Sequence, residues 1–397
     1  MKIILILSCL LFFSCTKRSQ DPYVLKKIEY ASLMKKGSSN YEIIDVDKAI
    51  KVNMDSVVVR LDSISYIPLE STDLIGEMDK VLVYDNKIYI LDAFVAEKVF
   101  IFDKRGVLLK TIDNKGQGPD EYAGLSGMSI DFDKRELCLN DRLTMKKLYF
   151  DLDGKFLRKE NSIPCFYLNR LKYFTVNQLA YLQSFSKDVN YHLVFTQLDS
   201  VYSKGFPYEP IQKRYIMSKN AVFNSTNDLL FVPVLSDTVY HIKSFNEYCV
   251  RYVLKHKRSV WNKHGEELSY NEVAKLIKND GYTAFSGLFY ETSKYIYFSM
   301  ERSLNDLVTN VFFMYDKKKK QVYELDGRGM TFFTEIVPPD LIALDGEMCV
   351  SSFDAYRLKE LFSDNDKGYI IKNNILKAII EKSDENSNPV LVFYQLK

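Results

Sequence analysis

The chain has little with which to do metal or redox chemistry. Its four histidines, His192, His241, His256 and His264, are scattered, and none forms the H-E-x-x-H pair that holds zinc on a helix. Six cysteines include no C-x-x-C pair, so zinc-ribbon and thioredoxin-type readings have no support. Cys138, Cys165, Cys249 and Cys349 lie apart in apolar, strand-like runs and read as buried thiols, although an oxidising compartment permits a bridge. An excess of one charge is missing as well, with 54 basic against 52 acidic residues. That balance, and the absence of a basic domain, argue against nucleic acid as a partner. No apolar run approaches the roughly 20 residues that cross a bilayer as a helix. Tryptophan occurs once, yet 28 tyrosines and 26 phenylalanines are present, which suits strands packing broad side chains across sheet faces.

The longest apolar run stands at the start. Met1-Lys2 is positive, Ile3 to Phe13 is apolar apart from Ser8 and Cys9, and Ser14-Cys15 follows. This has the pattern of a secretion signal ending in a lipid-acceptor cysteine. Cys9 would leave too short a hydrophobic core, so Cys15 is the expected acylation site. An ordinary secretory signal fits less well, because Thr16-Lys17-Arg18-Ser19-Gln20 follows abruptly with no separate small-x-small site. The expected organisation is a signal peptide over 1–14, a lipid-anchored tether over 15–40 and one domain over 41–397.

A repeat runs through that domain. Lys87–Asp92, Lys98–Asp103 and Val107–Ile112 read as three strands with a Lys-Arg-Gly turn between the last two, most of one propeller blade. The order returns as Glu136–Asn140, Lys147–Asp151 and Lys155–Arg158, with Asp153-Gly154 as the turn. Weaker copies begin at Gln178, Asp228, Tyr295 and Gly346, and the partner of the last lies downstream at Pro389–Tyr394. Six anchors at spacings of about 40 to 65 residues predict an all-β, six-bladed β-propeller. Short helical insertions are expected over Glu266–Asn279, closed by Gly281, and as two patterns within Asp354–Glu381. Cover for a core edge is the default role for such helices, although loops on one rim are where binding function sits.

Two motifs carry a resemblance. Ile101-Phe102-Asp103-Lys104-Arg105-Gly106, followed by Gly116-Gln117-Gly118-Pro119-Asp120-Glu121-Tyr122, resembles the signature of six-bladed β-propeller lipoproteins of Bacteroides-type bacteria, whose blades are similar to NHL-type repeats. Asp62–Glu70 is similar to that family's approach to its first blade, and Asn388–Tyr394 to its closing strand. The resemblance spans about 41–397 and implies the fold and an envelope location. It implies no catalytic residue. Asp120 stands where glycine is common, a departure that bears on the turn geometry of the loop, though aspartate tolerates the left-handed region.

Other motifs favour structural readings. Gly116 to Pro119 lacks the spacing of a phosphate-binding loop and opens no helix, so a turn between blades is expected, with Glu121 and Tyr122 packing nearby. Asp131-Phe132-Asp133 and Asp151-Leu152-Asp153-Gly154 lack the further ligands of a calcium loop. Ser32-Leu33-Met34-Lys35 matches S-x-x-K without its companion elements, and Gly124-Leu125-Ser126-Gly127 falls one residue short of G-x-S-x-G. Lys317 to Lys320 reads as a solvated hairpin tip, with attraction to anionic lipid or acidic glycan as the alternative.

These observations predict an envelope lipoprotein, held by Cys15, whose propeller binds or scaffolds a protein, peptide or glycan. No metal or cofactor is expected, and no catalytic constellation is evident. The alternative is a propeller lyase or hydrolase with a metal or an ionisable cluster at the central channel. Surface-exported lipoproteins of these bacteria carry acidic residues after the acylated cysteine. Lys17-Arg18 therefore predicts the periplasmic face of the outer membrane.

Overall fold

Strands such as Ile88–Leu91 are apolar at consecutive positions, which a sheet wet on one face does not require. The reason is visible in the computed structural model of the chain, which describes residues 22–53, 59–144, 146–161, 168–173, 179–183, 191–197, 200–213, 229–326, 337–338, 340–363 and 373–397. Six sheets stand side by side, and a strand such as Ile88–Leu91 is buried on both faces by the neighbouring sheets. Tyr89, Leu91, Val99 and Ile101 pack with Leu137, Leu139, Leu148 and Phe150 of the next sheet. Ile88, Ile90, Phe100 and Phe102 point the other way, to Val350, Leu391 and Phe393 of the last. Alternate residues thus serve alternate neighbours. The protein is the expected all-β six-bladed propeller with short helices.

The first described element is helix α1 (Pro22–Tyr30), followed by five short strands: β1 (Ser32–Leu33), β2 (Lys35–Lys36), β3 (Glu42–Asp45), β4 (Ile50–Asn53) and β5 (Ser65–Pro68). Blade 1 is a meander of β6 (Lys80–Tyr84), β7 (Lys87–Asp92), β8 (Lys98–Asp103) and β9 (Leu108–Ile112). Blade 2 repeats it with β10 (Leu125–Asp131), β11 (Glu136–Asp141), β12 (Lys146–Asp151) and β13 (Phe156–Asn161). Blade 3 contains β14 (Leu168–Tyr173), β15 (Leu179–Gln183), β16 (Tyr191–Gln197) and β17 (Ser200–Pro207), and the described part of blade 4 contains β18 (Leu229–Phe231), β19 (Thr238–Ser244) and β20 (Glu247–Lys255). After α2 (Tyr270–Asp280) comes blade 5, β21 (Ala284–Glu291), β22 (Tyr295–Leu304), β23 (Leu307–Asp316) and β24 (Gln321–Asp326). Blade 6 has β25 (Leu341–Asp345) and β26 (Met348–Phe353), then α3 (Ala355–Ser363) and α4 (Asn374–Lys382), then β27 (Val390–Tyr394).

The fourth strand of blade 6 is β5, antiparallel to β27 with Val392 opposite Tyr66. The Asp62–Glu70 segment, expected as the approach to blade 1, is therefore first the closing strand of blade 6. Ahead of it the chain forms a strap that was not anticipated. β1 pairs parallel to β17, β2 and β3 to β20, and β4 to β24. Residues 32–36, within the span expected as a tether, are thus paired into blades 3 and 4. The cause is the exposed outer edge of each blade, which offers unpaired amides and carbonyls to any extended segment. Met34 adds a buried side chain between blades 3 and 4, among Leu193, Phe195, Phe206 and Ile242.

Aspartates at strand ends explain the repeat's turns. Asp103, Asp151 and Asp316 each bend a carboxylate oxygen onto two amides of the next turn at 2.8–3.0 Å, the local bonding that suits aspartate to turns. Asp131 does the same for Asp133 and Lys134. The acidic turns are hairpin chemistry.

α2, α3 and α4 fall in the segments where helices are expected, whereas α1 lies in the span expected as a tether. Ser269 caps α2 in a reciprocal box with Glu272, and Gly281 ends it at φ 67°. Residues 266–268 stay outside because the cap lies after them. Leu376 and Ile380 of α4 and Ala355 at the start of α3 pack into the seam between blades 5 and 6. Cys138, Cys249 and Cys349 are buried free thiols, and burial pushes the Cys349 thiol up to about 12. Cys15 and Cys165 lie outside the described residues.

Candidate functional site

In a meander, connections alternate between the two ends of the strands. The described inner-strand and outer-strand hairpins share one face of the wheel, and they are tight turns of two to four residues. On the other face emerge the middle hairpins and the passages between blades. These include 69–79, 113–124, the α2 excursion over 256–283 and the α3–α4 excursion over 354–389. The β22–β23 hairpin also extends there beyond its blade to a tip at Asn305-Asp306, both at positive φ. One face is therefore plain and the other elaborate.

The Gly116–Tyr122 motif forms the passage from blade 1 to blade 2. Gly116 N–H donates to Tyr122 O at 2.8 Å, and Tyr122 N–H to Asn114 O at 2.9 Å. Gly118 N–H donates to Glu121 Oε2 at 2.6 Å. A Cβ on Gly116 would lie 2.0 Å from that same carboxylate oxygen. The glycines are thus set by close approach of Glu121, and neither they nor Asp120 takes positive φ. Gln117 and Pro119 complete the turn. Asp120 accepts from Asn114 Nδ2 at 3.1 Å, and the buried Tyr122 hydroxyl donates to Glu97 O at 2.5 Å. Burial raises the Tyr122 pKa, keeping the phenol protonated. The motif latches two blades.

Two buried aspartates fix the neighbouring loops. Asp92 receives the amides of Gly76, Glu77, Val95 and Ala96 at 2.7–3.0 Å. Asp141 receives those of Ala123, Gly124, Leu143 and Thr144, with the Thr144 hydroxyl at 2.6 Å. Each carboxylate ties a middle hairpin to the passage leading into its own blade. What these fixed loops present is apolar: Phe94 is 58% exposed and Val95 64%, with Leu74 and Leu143 also exposed. Gly76 backs Val95 and Gly124 backs Leu143, each so closely that a Cβ would clash. The Arg142 guanidinium stands 5.5 Å from the Phe94 ring centre, a cation–π arrangement, and its Nε is buried without a hydrogen-bond partner. Sequence reading missed this patch because Phe94 and Arg142 belong to different blades.

The histidines have structural partners. His192 Nε2 lies 3.0 Å from Gln212 Oε1, and burial lowers its pKa to about 4. His264 stacks on Trp261. His256 joins a chain that spacing did not reveal: its Nε2 is 2.8 Å from Asp237 Oδ1, its Nδ1 meets the Thr283 hydroxyl, and Ser259 donates to Asp237 Oδ2. The order hydroxyl, imidazole, carboxylate resembles a nucleophile relay. Here, however, the imidazole is buried and the four groups clasp both ends of the α2 excursion to the Asp237 loop. Ser32 of the S-x-x-K match donates to Tyr202 O, and Ser126 accepts from Asn140 Nδ2. Among the described residues no group of three or more His, Cys, Asp or Glu is placed to hold a metal ion. On the plain face, Lys317 pairs with Glu291, Lys319 with Asp316 and Lys320 with Glu42. The lysine run is an exposed hairpin tip as expected, with three of its four lysines beside carboxylates.

The arrangement defines a six-bladed propeller with one loop-rich face carrying an aromatic and arginine patch. The chain belongs to the family described as Domain of unknown function (DUF4934), which matches residues 41–395. Among solved structures it is similar to the Bacteroides fragilis "Putative exported protein (BF0058)", at 19% identity and a TM-score of 0.71, over 89% of this chain and 99% of that one. A member of the DUF4221 family from Bacteroides vulgatus aligns at 10% identity and a TM-score of 0.48, over 85% of this chain and 99% of that one. No protein of curated function matches the chain.

Proposed function

We propose that the protein is an envelope lipoprotein, acylated on Cys15, whose loop-rich face binds a protein, peptide or glycan without transforming it. The observation that carries this reading is the Phe94, Val95, Arg142 and Leu143 patch, built on loops that Asp92 and Asp141 hold rigid. Exposed aromatic and arginine groups on a rigid support are the residue types that dominate binding energy at interfaces, and a phenylalanine face also stacks on sugar rings. The exported designation of the Bacteroides fragilis relative supports an extracytoplasmic location, and Lys17-Arg18 favours the periplasmic side of the outer membrane.

The test compares wild type with Phe94→Ala/Arg142→Ala, both immobilised, against envelope extract and a glycan array. A ligand retained by wild type and weakened about thirtyfold or more by the double variant supports the reading. Equal retention by a variant with unchanged circular dichroism would remove the patch from the argument. Cys15→Ala should release the protein from membranes washed at high salt, where electrostatic adsorption is screened, and protease shaving of intact cells should spare the wild type.

A further inference from the structure

The strap settles where any N-terminal attachment meets the wheel. α1 does not leave the propeller as a free arm: Lys204 Nζ on β17 donates to Glu29 O at 2.6 Å in its last turn, and Ile28 is buried. The next residues run directly along the outer strands of blades 3 and 4. Six residues lie between Cys15 and Pro22, and the seven steps that join them reach at most roughly 25 Å. The chain leading from an acylated Cys15 therefore meets the wheel at its outer edge.

That edge has the composition of a surface that meets lipid headgroups. Tyr30 is 80% exposed and Leu33 57%. Leu33 sits in register with Lys204, and Tyr202, 41% exposed, stands at the β-bulge of the same outer strand with its ring against Phe245 of blade 4. Lys26, Lys35 and Lys36 are exposed and form no ion pair among the described residues. Charge is also segregated along the chain. Residues 16–40 hold six basic residues (Lys17, Arg18, Lys26, Lys27, Lys35, Lys36) against Asp21 and Glu29, a net +4, whereas 41–397 hold 47 basic against 50 acidic, a net −3. On the plain face three of the four lysines of the 317–320 run stand within ion-pair distance of carboxylates, whereas, among the described residues, Lys26, Lys35 and Lys36 on the edge do not. Tyrosine and lysine are the side chains that place an apolar body at a membrane interface with the polar tip in water, and a polybasic patch is the usual second signal beside an acyl chain.

We infer that the outer edge of blades 3 and 4, formed by Tyr30, Leu33, Tyr202, Lys26, Lys35 and Lys36, seats on an anionic lipid surface and holds the propeller edge-on to the membrane. The inference rests on the proposed acylation of Cys15 for its geometry, and its charge argument stands apart from it. Edge-on seating turns the loop-rich face sideways, open to a partner that moves along the membrane.

Two measurements test the seating. The mature chain carrying Cys15→Ala is cosedimented with vesicles of phosphatidylcholine alone or mixed two to one with phosphatidylglycerol. Binding to the mixed vesicles only, lost on raising salt and weakened about a hundredfold in Lys26→Glu/Lys35→Glu/Lys36→Glu, is expected. Equal binding to both vesicle types, or none to either, overturns the electrostatic seat. In the second, the acylated full chain in a Cys165→Ser background carries an environment-sensitive fluorophore at Leu33→Cys, Phe94→Cys or Phe132→Cys. Spin-labelled lipid should quench position 33 and spare 94 and 132, which lie on opposite faces. Quenching at 94 or 132 without 33, or at none of the three in vesicle-bound protein, refutes edge-on seating while leaving the anchor in place. Conversely, an unacylated wild type in cells whose Cys15→Ala form still binds anionic vesicles removes the anchor and retains the seat.

Discussion

His192 offers a direct test of how a buried polar group is held in this wheel. Gln212 Nε2 donates to Val234 O at 2.6 Å, so its Oε1 faces the amide of Glu209 at 2.8 Å and His192 Nε2 at 3.0 Å. The imidazole must therefore carry its proton on Nε2, and the Tyr208 ring lies 4.1 Å away edge to face. A second proton would place an uncompensated cation inside the protein, which is why burial lowers the pKa to about 4. Above pH 6.5 the group is neutral in both states and contributes no pH dependence. As pH falls, the unfolded chain takes up the proton first, so stability drops between about pH 6.5 and 4 and then levels. The size is about 2.5 kcal/mol at pH 4.5. His192→Gln keeps a neutral donor and abolishes the titration. Urea unfolding of both proteins at pH 7.5 and 4.5 should show wild type losing about 2.5 kcal/mol more than the variant over that interval. Parallel losses would refute the neutral, desolvated imidazole.

Further tests address the latch, the loop supports and the strap. Tyr122→Phe removes the donor to Glu97 O and should cost about 1–2 kcal/mol in denaturant unfolding; an unmoved midpoint would show that the hydroxyl does not hold the two blades. Gly116→Ala should cost about 1–3 kcal/mol by driving Glu121 from its place, and a double-mutant cycle with Glu121→Ala should recover much of that loss. Asp141→Ala strands the amides of four residues and should both destabilise by about 3 kcal/mol or more and weaken any ligand that depends on Phe94. Retained affinity in that variant would separate the loop support from binding. Met34→Ala should cost about 2–4 kcal/mol and speed proteolysis within 22–53, whereas an unchanged digestion pattern would mean that the strap does not depend on this contact.

Which elements were readable follows from what each one packs against. β7, β8, β11 and β12 announce themselves as consecutive apolar runs because both of their faces are buried, and the aspartate turns between them repeat the same local bonding. Inner strands such as β10, with its Ser126-Gly127 break, carry a weaker pattern. The strap was legible least of all. Ser32-Leu33 and Lys35-Lys36 hold no strand signal of their own, since their pairing partner is the backbone edge of a blade and backbone has no sequence signature. The GQGPDEY motif was legible as a turn, but only the tertiary structure shows that its glycines yield to the Glu121 carboxylate.

The sequence by itself determined the architecture and the proposed mode of attachment. Strand periodicity, turn residues and a signal-like start are local properties, and each is written within a few consecutive residues. Tertiary structure alone decided that the chain's beginning wraps blades 3 to 5 before closing blade 6, that Asp237, Ser259, Thr283 and His256 meet, and that Phe94 lies beneath Arg142. Those pairings join residues from separate loops or separate blades, and no local pattern encodes them. They arise when buried sheet faces fix the angle between blades and so bring distant loops to one face.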